Sequence, residues 1–96
     1  MILIKNINGS SFYNRAPFGY SSWLDYWEQQ AGRKAARCSA IDCKCNRVNC
    51  TLVGAHAIKA GSTDKHYYIV PLCSGCNRRT DSFLVEEVLI PSPSNL

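Results

Sequence analysis

The sequence predicts one small α+β domain. Its 96 residues suffice for a single core, but chains of this size often need a metal or disulfides because they bury little surface. One amphipathic helix pattern lies among several short strand patterns, and no repeat or long linker divides the chain. Hydrophobic residues make up 46% and charged residues 19%, which is typical of a folded protein. We therefore expect residues 1–96 to form a single domain.

The first element is a predicted strand. Residues 2–7, with the sequence ILIKNI, are apolar and short, and the turn-forming NGSS follows them. Lys5 interrupts the apolar run and no small-residue cleavage site follows, so we expect neither a signal peptide nor a membrane span. These features favour a cytoplasmic protein, and thiols stay reduced in that compartment.

The second element is a helix within residues 18–32, FGYSSWLDYWEQQAG. Ser22 is the expected N-cap, Asp25 completes an approximate capping box, and Gly32 ends the helix. One helix face carries residues at three- and four-residue spacing, namely Trp23, Tyr26, Trp27 and Gln30. We expect this aromatic face to pack on the core rather than to stack on nucleic acid bases.

A hairpin is predicted in the middle of the chain. Residues 38–50 are too rich in Cys, Asn and Asp for a regular element. Residues 51–58 and 66–72, TLVGAHAI and HYYIVPL, have the composition of two strands, and the turn-rich KAGSTDK joins them.

The last elements are a short helix and a strand. The helix is predicted over 74–82, SGCNRRTDS, and the strand over 83–90, FLVEEVLI. Pro91 and Pro93 are expected to end the ordered part.

The six cysteines predict a metal site, because disulfides are rare where thiols stay reduced. Cys73-x-x-Cys76 places two thiolates at a predicted helix N-terminus, where backbone N–H groups stabilise negative sulfur. Structural zinc takes four Cys or His ligands in a tetrahedron. Two more ligands must therefore come from upstream.

Cys38-x4-Cys43 is the favoured upstream pair. A cysteine knuckle, a hairpin and then a helix with the second pair is the order of elements in a treble-clef zinc finger. Cys45-x4-Cys50 has the same spacing and Cys43-x-Cys45 is a further possibility, so the spacing leaves the choice open. We predict zinc on Cys38, Cys43, Cys73 and Cys76, with Cys45 and Cys50 as spare thiols or a second weak site.

The predicted zinc site divides the domain into an N-terminal strand-and-helix extension at 1–37, a treble-clef core at 38–90 and a tail at 91–96. Structural zinc supplies about 10–16 kcal/mol of apparent binding free energy in zinc-finger peptides. This is as large as the whole stability of a small domain, about 5–15 kcal/mol. We therefore expect the domain to unfold without zinc.

The net charge of +4 is unevenly distributed along the chain. Between residues 33 and 47 the only acid is Asp42, and the bases are Arg33, Lys34, Arg37, Lys44 and Arg47. The tail after Arg79 carries three acids and no base: Asp81, Glu86 and Glu87. A basic patch suits nucleic acid, whose phosphates it neutralises. An ordinary solvated loop explains the same charges equally well.

The motifs GAH, a hairpin and IVPLCSGCN resemble the ββα-metal core of the HNH endonuclease superfamily in its zinc-stabilised treble-clef form. The wider pattern, from about residue 20 to residue 85, is similar to small bacterial and phage proteins of HNH-like type. The resemblance implies an endonuclease in which His56 is the general base and Asn77 is a ligand of a catalytic Mg²⁺ or Mn²⁺. It also implies that Arg78 and Arg79 contact phosphate from the helix that enters the nucleic acid groove.

The chain departs from the HNH pattern at two catalytic positions. Ala55 stands where HNH nucleases carry an acid or a second His, and the orienting Asn would fall near Tyr67 or Tyr68. Asp64 and His66 of the hairpin loop are candidate ligands that could replace the missing ligands of the catalytic ion. For His66, a structural role is the favoured interpretation. For His56 the alternatives to a general base are a hydrogen-bonded strand histidine or a zinc ligand, and Asn77 could equally brace the zinc knuckle.

The sequence supports two functional hypotheses. The first is a zinc-binding HNH-like protein that binds or cleaves nucleic acid, with Arg33, Lys34, Arg37, Arg78 and Arg79 on phosphate. The second is a noncatalytic zinc-binding interaction module, for example a phage or mobile-element protein that docks on a host protein. The aromatic helix and the incomplete catalytic set favour the second hypothesis.

Overall fold

A computed structural model describes residues 1–7, 16–43, 51–64 and 66–93 of the chain. Within these residues there are one α-helix and a five-stranded antiparallel sheet, which confirms the α+β class. The elements are β1 (Ile2–Asn6), α1 (Trp23–Ala31), β2 (Leu52–Lys59), β3 (Tyr68–Cys73), β4 (Ser82–Val85) and β5 (Ile90–Pro91). A short 3₁₀ helix, Cys76–Arg78, follows β3.

The strands lie in the order β4-β1-β2-β3-β5. The predicted hairpin is confirmed, because β2 and β3 pair in antiparallel register with Ala55 opposite Val70 and His56 opposite Ile69. Paired residues point to the same side of a sheet and neighbours along a strand to opposite sides. Ala55 and Val70 therefore lie on one face, and His56 and Ile69 on the other.

The first face carries the larger core, which we call the cysteine-side core. It contains residues from four strands and from the loops that hold the cysteines. Its buried members are Ile4, Cys38, Ala40, Ala55, Ala57, Val70, Leu72, Cys73, Cys76, Phe83, Val85 and Leu89.

Helix α1 covers the second face, where Trp23 and Trp27 bury against Ile69 in what we call the helix-side core. The predicted helix ends are confirmed. The Ser22 hydroxyl accepts from the Asp25 backbone N–H at 3.0 Å, and Gly32 ends the helix in a left-handed conformation with φ 77°. No helix in the described parts of the chain has the length and apolar character needed to cross a membrane.

The segment at 38–40 connects distant parts of the sheet. The backbone N–H and the hydroxyl of Ser39 both donate to the Pro71 carbonyl of β3, at 3.1 and 2.6 Å. The next residue, Ala40, pairs with Val85 of β4, an edge strand that is separated from β3 by β1 and β2. This bridge brings Cys38 and Cys43 to the end of β3, where the second pair of cysteines lies.

The prediction of one final strand over 83–90 is wrong. Strand β4 pairs with β1 at one edge of the sheet, and β5 pairs with β3 at the other edge. The chain must therefore cross between the edges at 86–89. This crossing is stabilised because the Val88 carbonyl accepts from Trp27 Nε1 at 2.8 Å and Leu89 enters the cysteine-side core.

The helix predicted over 74–82 is shorter than expected. Only Cys76–Arg78 is helical, as a 3₁₀ helix, and Ser82 already belongs to β4. Pairing with β1 takes the chain into an extended conformation directly after this turn. Pro91, which was expected to end the ordered part, lies in β5 at the sheet edge, where a residue without an N–H is tolerated.

Candidate metal centre

Four cysteines form one compact cluster. The sulfur atoms of Cys38, Cys43, Cys73 and Cys76 all lie within 4.8 Å of one another, and those of Cys43 and Cys73 are 3.6 Å apart. Zinc–sulfur bonds of about 2.3 Å in a tetrahedron place sulfurs about 3.8 Å apart. The four cysteines are therefore close enough to bind one metal ion, as predicted. The alternative ligands Cys45 and Cys50 lie outside the described residues.

Strand ends and backbone hydrogen bonds position the sulfurs. Cys73 is the last residue of β3, and Cys76 is the first residue of the 3₁₀ helix. The Cys76 backbone N–H donates to the Cys73 sulfur at 3.3 Å, and the Cys73 N–H donates to the Cys38 sulfur at 3.2 Å. Such N–H donors stabilise thiolates, which are the form that binds metal.

The chemistry of the cluster is that of a closed site. Cys38, Cys73 and Cys76 are buried and Cys43 is partly exposed. Burial raises the pKa of the Cys38 and Cys76 thiols, so a metal that binds these two sulfurs must displace their protons. Four sulfur ligands complete a tetrahedron and leave no position for a substrate, as in structural sites of zinc or iron.

Asn6 of β1 binds the backbone of the turn that carries Cys76. Its side chain is only 5% exposed, and its Nδ2 donates to the carbonyls of Cys76 at 2.8 Å and Arg79 at 3.1 Å. Asn6 is not among the site residues predicted from the sequence. A signal existed, because Asn6 falls on the same strand face as the buried Ile4, where a polar side chain must find buried partners.

Arg79, a predicted phosphate contact, binds two carboxylates instead. Its guanidinium donates to both oxygens of Asp42 and to both oxygens of Asp81. It also lies over the Phe83 ring, at 4.2 Å from the ring centroid. Hydrogen bonds from Arg79 lower the pKa of both Asp42 and Asp81, so both are charged at neutral pH.

The basic residues between 33 and 37 form ion pairs with acidic side chains, including those of the acidic segment that follows Arg79. Arg33 forms an ion pair with Glu87, and Arg37 pairs with Glu86 at 3.3 Å. Lys34 lies 3.7 Å from Glu28 of α1. The exposed Arg78 forms no ion pair with any described residue, whereas Lys44 and Arg47 lie outside the described residues.

His56 lies on the helix side of β2, away from the cysteine-side core. It is 5% exposed and packs edge-on against Trp23, with ring centroids 4.5 Å apart. In the described parts of the chain, the four cysteines are the one group of three or more His, Cys, Asp or Glu able to hold a metal. His56 is therefore not part of the cysteine cluster. Asn77 follows Cys76 in the 3₁₀ helix and is partly buried.

The hairpin-loop candidates Asp64 and His66 contact other groups of their own hairpin and of the chain end. The Tyr68 hydroxyl donates to Asp64 at 2.6 Å, and the His66 backbone N–H donates to the same carboxylate at 2.9 Å. His66 Nε2 lies 3.1 Å from the Ser92 carbonyl. These contacts give both residues a structural role in the loop.

Comparisons with protein-family models, with curated proteins and with solved structures found no match to this chain.

Proposed function

We propose that this chain is a zinc-stabilised binding module with an HNH-like, treble-clef arrangement of cysteines, and that it binds a partner without cleaving it. The observation that carries the proposal is the closed cluster of four sulfurs, three of them buried. A closed cluster can stabilise a fold but offers no coordination position for chemistry.

Zinc is the proposed metal because four thiolates in a tetrahedral arrangement suit it. The treble-clef proposal rests on the order of the parts, in which the hairpin β2–β3 lies between the two cysteine pairs. The same order supports the resemblance to HNH-like proteins, although the helix after the second pair is a single 3₁₀ turn.

Burial of His56 supports binding rather than cleavage. A general base must reach a water molecule beside the scissile phosphate, and a hard divalent ion needs several oxygen or nitrogen ligands. His56 is buried and packs edge-on against Trp23, and the neighbouring Ala55 has no side-chain atom that could bind a metal. Asn77 alone would hold Mg²⁺ or Mn²⁺ weakly.

A protein partner is favoured by apolar side chains that are exposed next to one another. Leu3 of β1 and Leu84 of β4 are cross-strand partners, and the backbone of Ile41 donates to the Leu84 carbonyl. All three side chains are exposed. Neighbouring exposed apolar side chains are typical of surfaces that bind proteins.

Nucleic acid is the second candidate partner, favoured by the net charge of +4 and by exposed basic side chains. The side chains of Arg33, Lys34 and Arg37 are 58%, 86% and 51% exposed despite their ion pairs. Exposed ion pairs contribute about 0–1 kcal/mol, so phosphates can compete for these residues. Arg78 adds a further exposed base. A nuclease with His56 as base and Asn77 as ligand is the catalytic form of this candidate.

The experiment combines metal analysis with a nicking assay. Purified protein is expected to contain one zinc per chain and to leave supercoiled plasmid and single-stranded DNA intact with Mg²⁺, Mn²⁺ or Ni²⁺. Nicking that disappears in a zinc-loaded His56→Ala variant would overturn the noncatalytic proposal. A folded, zinc-free protein would overturn the zinc site.

The same samples distinguish the two partner classes. DNA affinity that falls with rising salt, and falls further in the triple variant Arg33→Gln, Lys34→Gln, Arg37→Gln, identifies nucleic acid as the partner. Asp64→Asn, which leaves the basic segment unchanged, is the control for nonspecific effects of substitution.

A further inference from the structure

We infer that Arg79 is a positioning residue of the metal centre, which fastens the loop carrying Cys43 to the loop carrying Cys76. This inference rests on the proposed zinc site and assigns to Arg79 a role other than phosphate contact. In this role, the Arg79–Asp42 contact controls the rate at which the metal is released.

The contact spans the two halves of the metal centre. Arg79 Nη1 donates to Asp42 Oδ1 at 2.7 Å, and Nη2 donates to Asp42 Oδ2 at 3.1 Å. Asp42 immediately precedes Cys43, and Arg79 lies three residues after Cys76. This two-bond contact therefore joins the loop of one cysteine pair to the loop of the other, outside the sulfur cluster.

The guanidinium is itself held in a fixed orientation. Its Nε and Nη2 donate to the two oxygens of Asp81 at 2.9 and 2.6 Å, and its Cζ lies over the ring of Phe83, which is buried. Arg79 thus binds both carboxylates as a charged planar fork, a geometry that lysine does not reproduce.

Cys43 is the ligand for which such a fastening matters most. It is partly exposed, whereas the other three ligands are buried. Its backbone N–H donates to the Ala40 carbonyl at 3.2 Å, within its own loop. Water and chelators reach the metal first at this ligand, so release of the metal is expected to begin when Cys43 moves away.

The test measures the rate of zinc transfer to an excess of a colorimetric chelator. Arg79→Gln is expected to release zinc about 10–100-fold faster than the wild-type protein, which matches the loss of metal affinity typical when partners of metal ligands are removed. Arg79→Lys should release zinc as fast as Arg79→Gln does, because lysine keeps the charge but lacks the planar guanidinium that binds two oxygens at once. Arg78→Gln, a substitution at the exposed neighbour, should release zinc at the wild-type rate.

Two aspartate variants separate the bridge from a general loss of stability. Asp42→Asn weakens the contact to the Cys43 loop, while Asp81→Asn weakens a contact within the Cys76 loop. Asp42→Asn is expected to accelerate release more than Asp81→Asn, and adding Asp42→Asn to Arg79→Gln should accelerate it no further. Charge-transfer absorption of the cobalt-substituted protein should still report four sulfur ligands in each variant.

The outcomes are distinguishable from failure of the proposed function. A wild-type protein that binds no zinc would contradict the proposed function. A zinc-loaded Arg79→Gln that releases metal as slowly as Arg78→Gln would overturn the role of Arg79 alone. If Arg79→Gln does not fold, the rate of zinc release from Asp42→Asn tests the role of Arg79 instead. Release from Asp42→Asn at the wild-type rate would equally overturn the inference.

Discussion

On one face of the sheet, α1 packs two buried tryptophans against β3, whereas on the other face four cysteines join two loops to the end of a strand. The helix side depends on the burial of apolar side chains of one amphipathic helix and of the residues packed against it. The cysteine side depends on contacts between residues far apart in sequence, such as Asn6 with Cys76 and Arg79 with Asp42. The two faces should therefore fail under different perturbations, the cysteine side on loss of metal and the helix side on loss of packing.

The largest effect is expected on the cysteine side. Cys73→Ser, or removal of zinc with a strong chelator, should unfold the domain, because about 10–16 kcal/mol of apparent zinc binding exceeds or equals the stability of a typical small domain. Circular dichroism with metal analysis measures this loss. Cys45→Ser and Cys50→Ser are the matched controls and should retain one zinc and the wild-type spectrum. Loss of zinc in either control would instead favour the alternative cysteine pairing.

A smaller effect is expected from truncation on the helix side. Trp27 is fully buried, and Trp27→Ala should lower the free energy of unfolding of the zinc-loaded protein by about 3–5 kcal/mol. Urea denaturation in excess zinc measures the change. Trp27→Phe retains most of the ring and lacks the donor to the Val88 carbonyl, so it should cost less. Zinc stoichiometry should remain one per chain in the folded protein. Loss of zinc from folded Trp27→Ala would show that the two faces are not independent.

Gly54 tests how closely the helix approaches the sheet. A Cβ at this position would lie 2.4 Å from the backbone N of Leu24 and 2.4 Å from the backbone C of Trp23, so α1 would have to move. Gly54→Ala should therefore destabilise the protein by about 1–3 kcal/mol, as overpacking does. Gly75→Ala is the control, since its nearest neighbour would be the Cys73 sulfur at an ordinary 3.9 Å. Equal stability of the two variants in thermal unfolding would contradict the close approach.

The smallest effect concerns the end of α1. Ser22→Ala removes the oxygen that accepts from the Asp25 N–H and should cost about 1 kcal/mol. Ser22→Asp supplies another accepting oxygen and should recover most of that loss. Thermal unfolding of the zinc-loaded variants measures both changes. An alanine variant as stable as the wild type would show that the Ser22 hydrogen bond does not stabilise the folded protein.

Local signals in the sequence predicted several elements correctly. The apolar pattern of β1, the cap residues Ser22 and Gly32, and the turn-rich loop of the hairpin all specify structure through neighbours in the chain. The spacing of Cys73 and Cys76 predicted half of the cysteine cluster for the same reason.

Long-range partners could not be predicted from local pattern. Cys38-x4-Cys43 and Cys45-x4-Cys50 have equal spacing, and the described structure brings the first pair to β3 through the Ser39–Pro71 contacts. The apolar run at 83–90 gave no sign that its halves pair at opposite edges of the sheet.

Charge pairing was likewise hidden in the sequence. Arg33 and Glu87 are 54 positions apart, and Arg79 and Asp42 are 37 apart, so the segregation of charge along the chain did not predict its distribution in space. The predicted basic surface became a set of exposed ion pairs. Arg79 became a contact between the two cysteine loops.

X-ray absorption at the zinc edge of the purified protein shows directly which atoms bind the metal. We predict one zinc per chain with four sulfur ligands at about 2.3 Å, supplied by Cys38, Cys43, Cys73 and Cys76. A coordination shell that includes nitrogen or oxygen, or that contains fewer than four sulfurs, would contradict the closed four-cysteine centre.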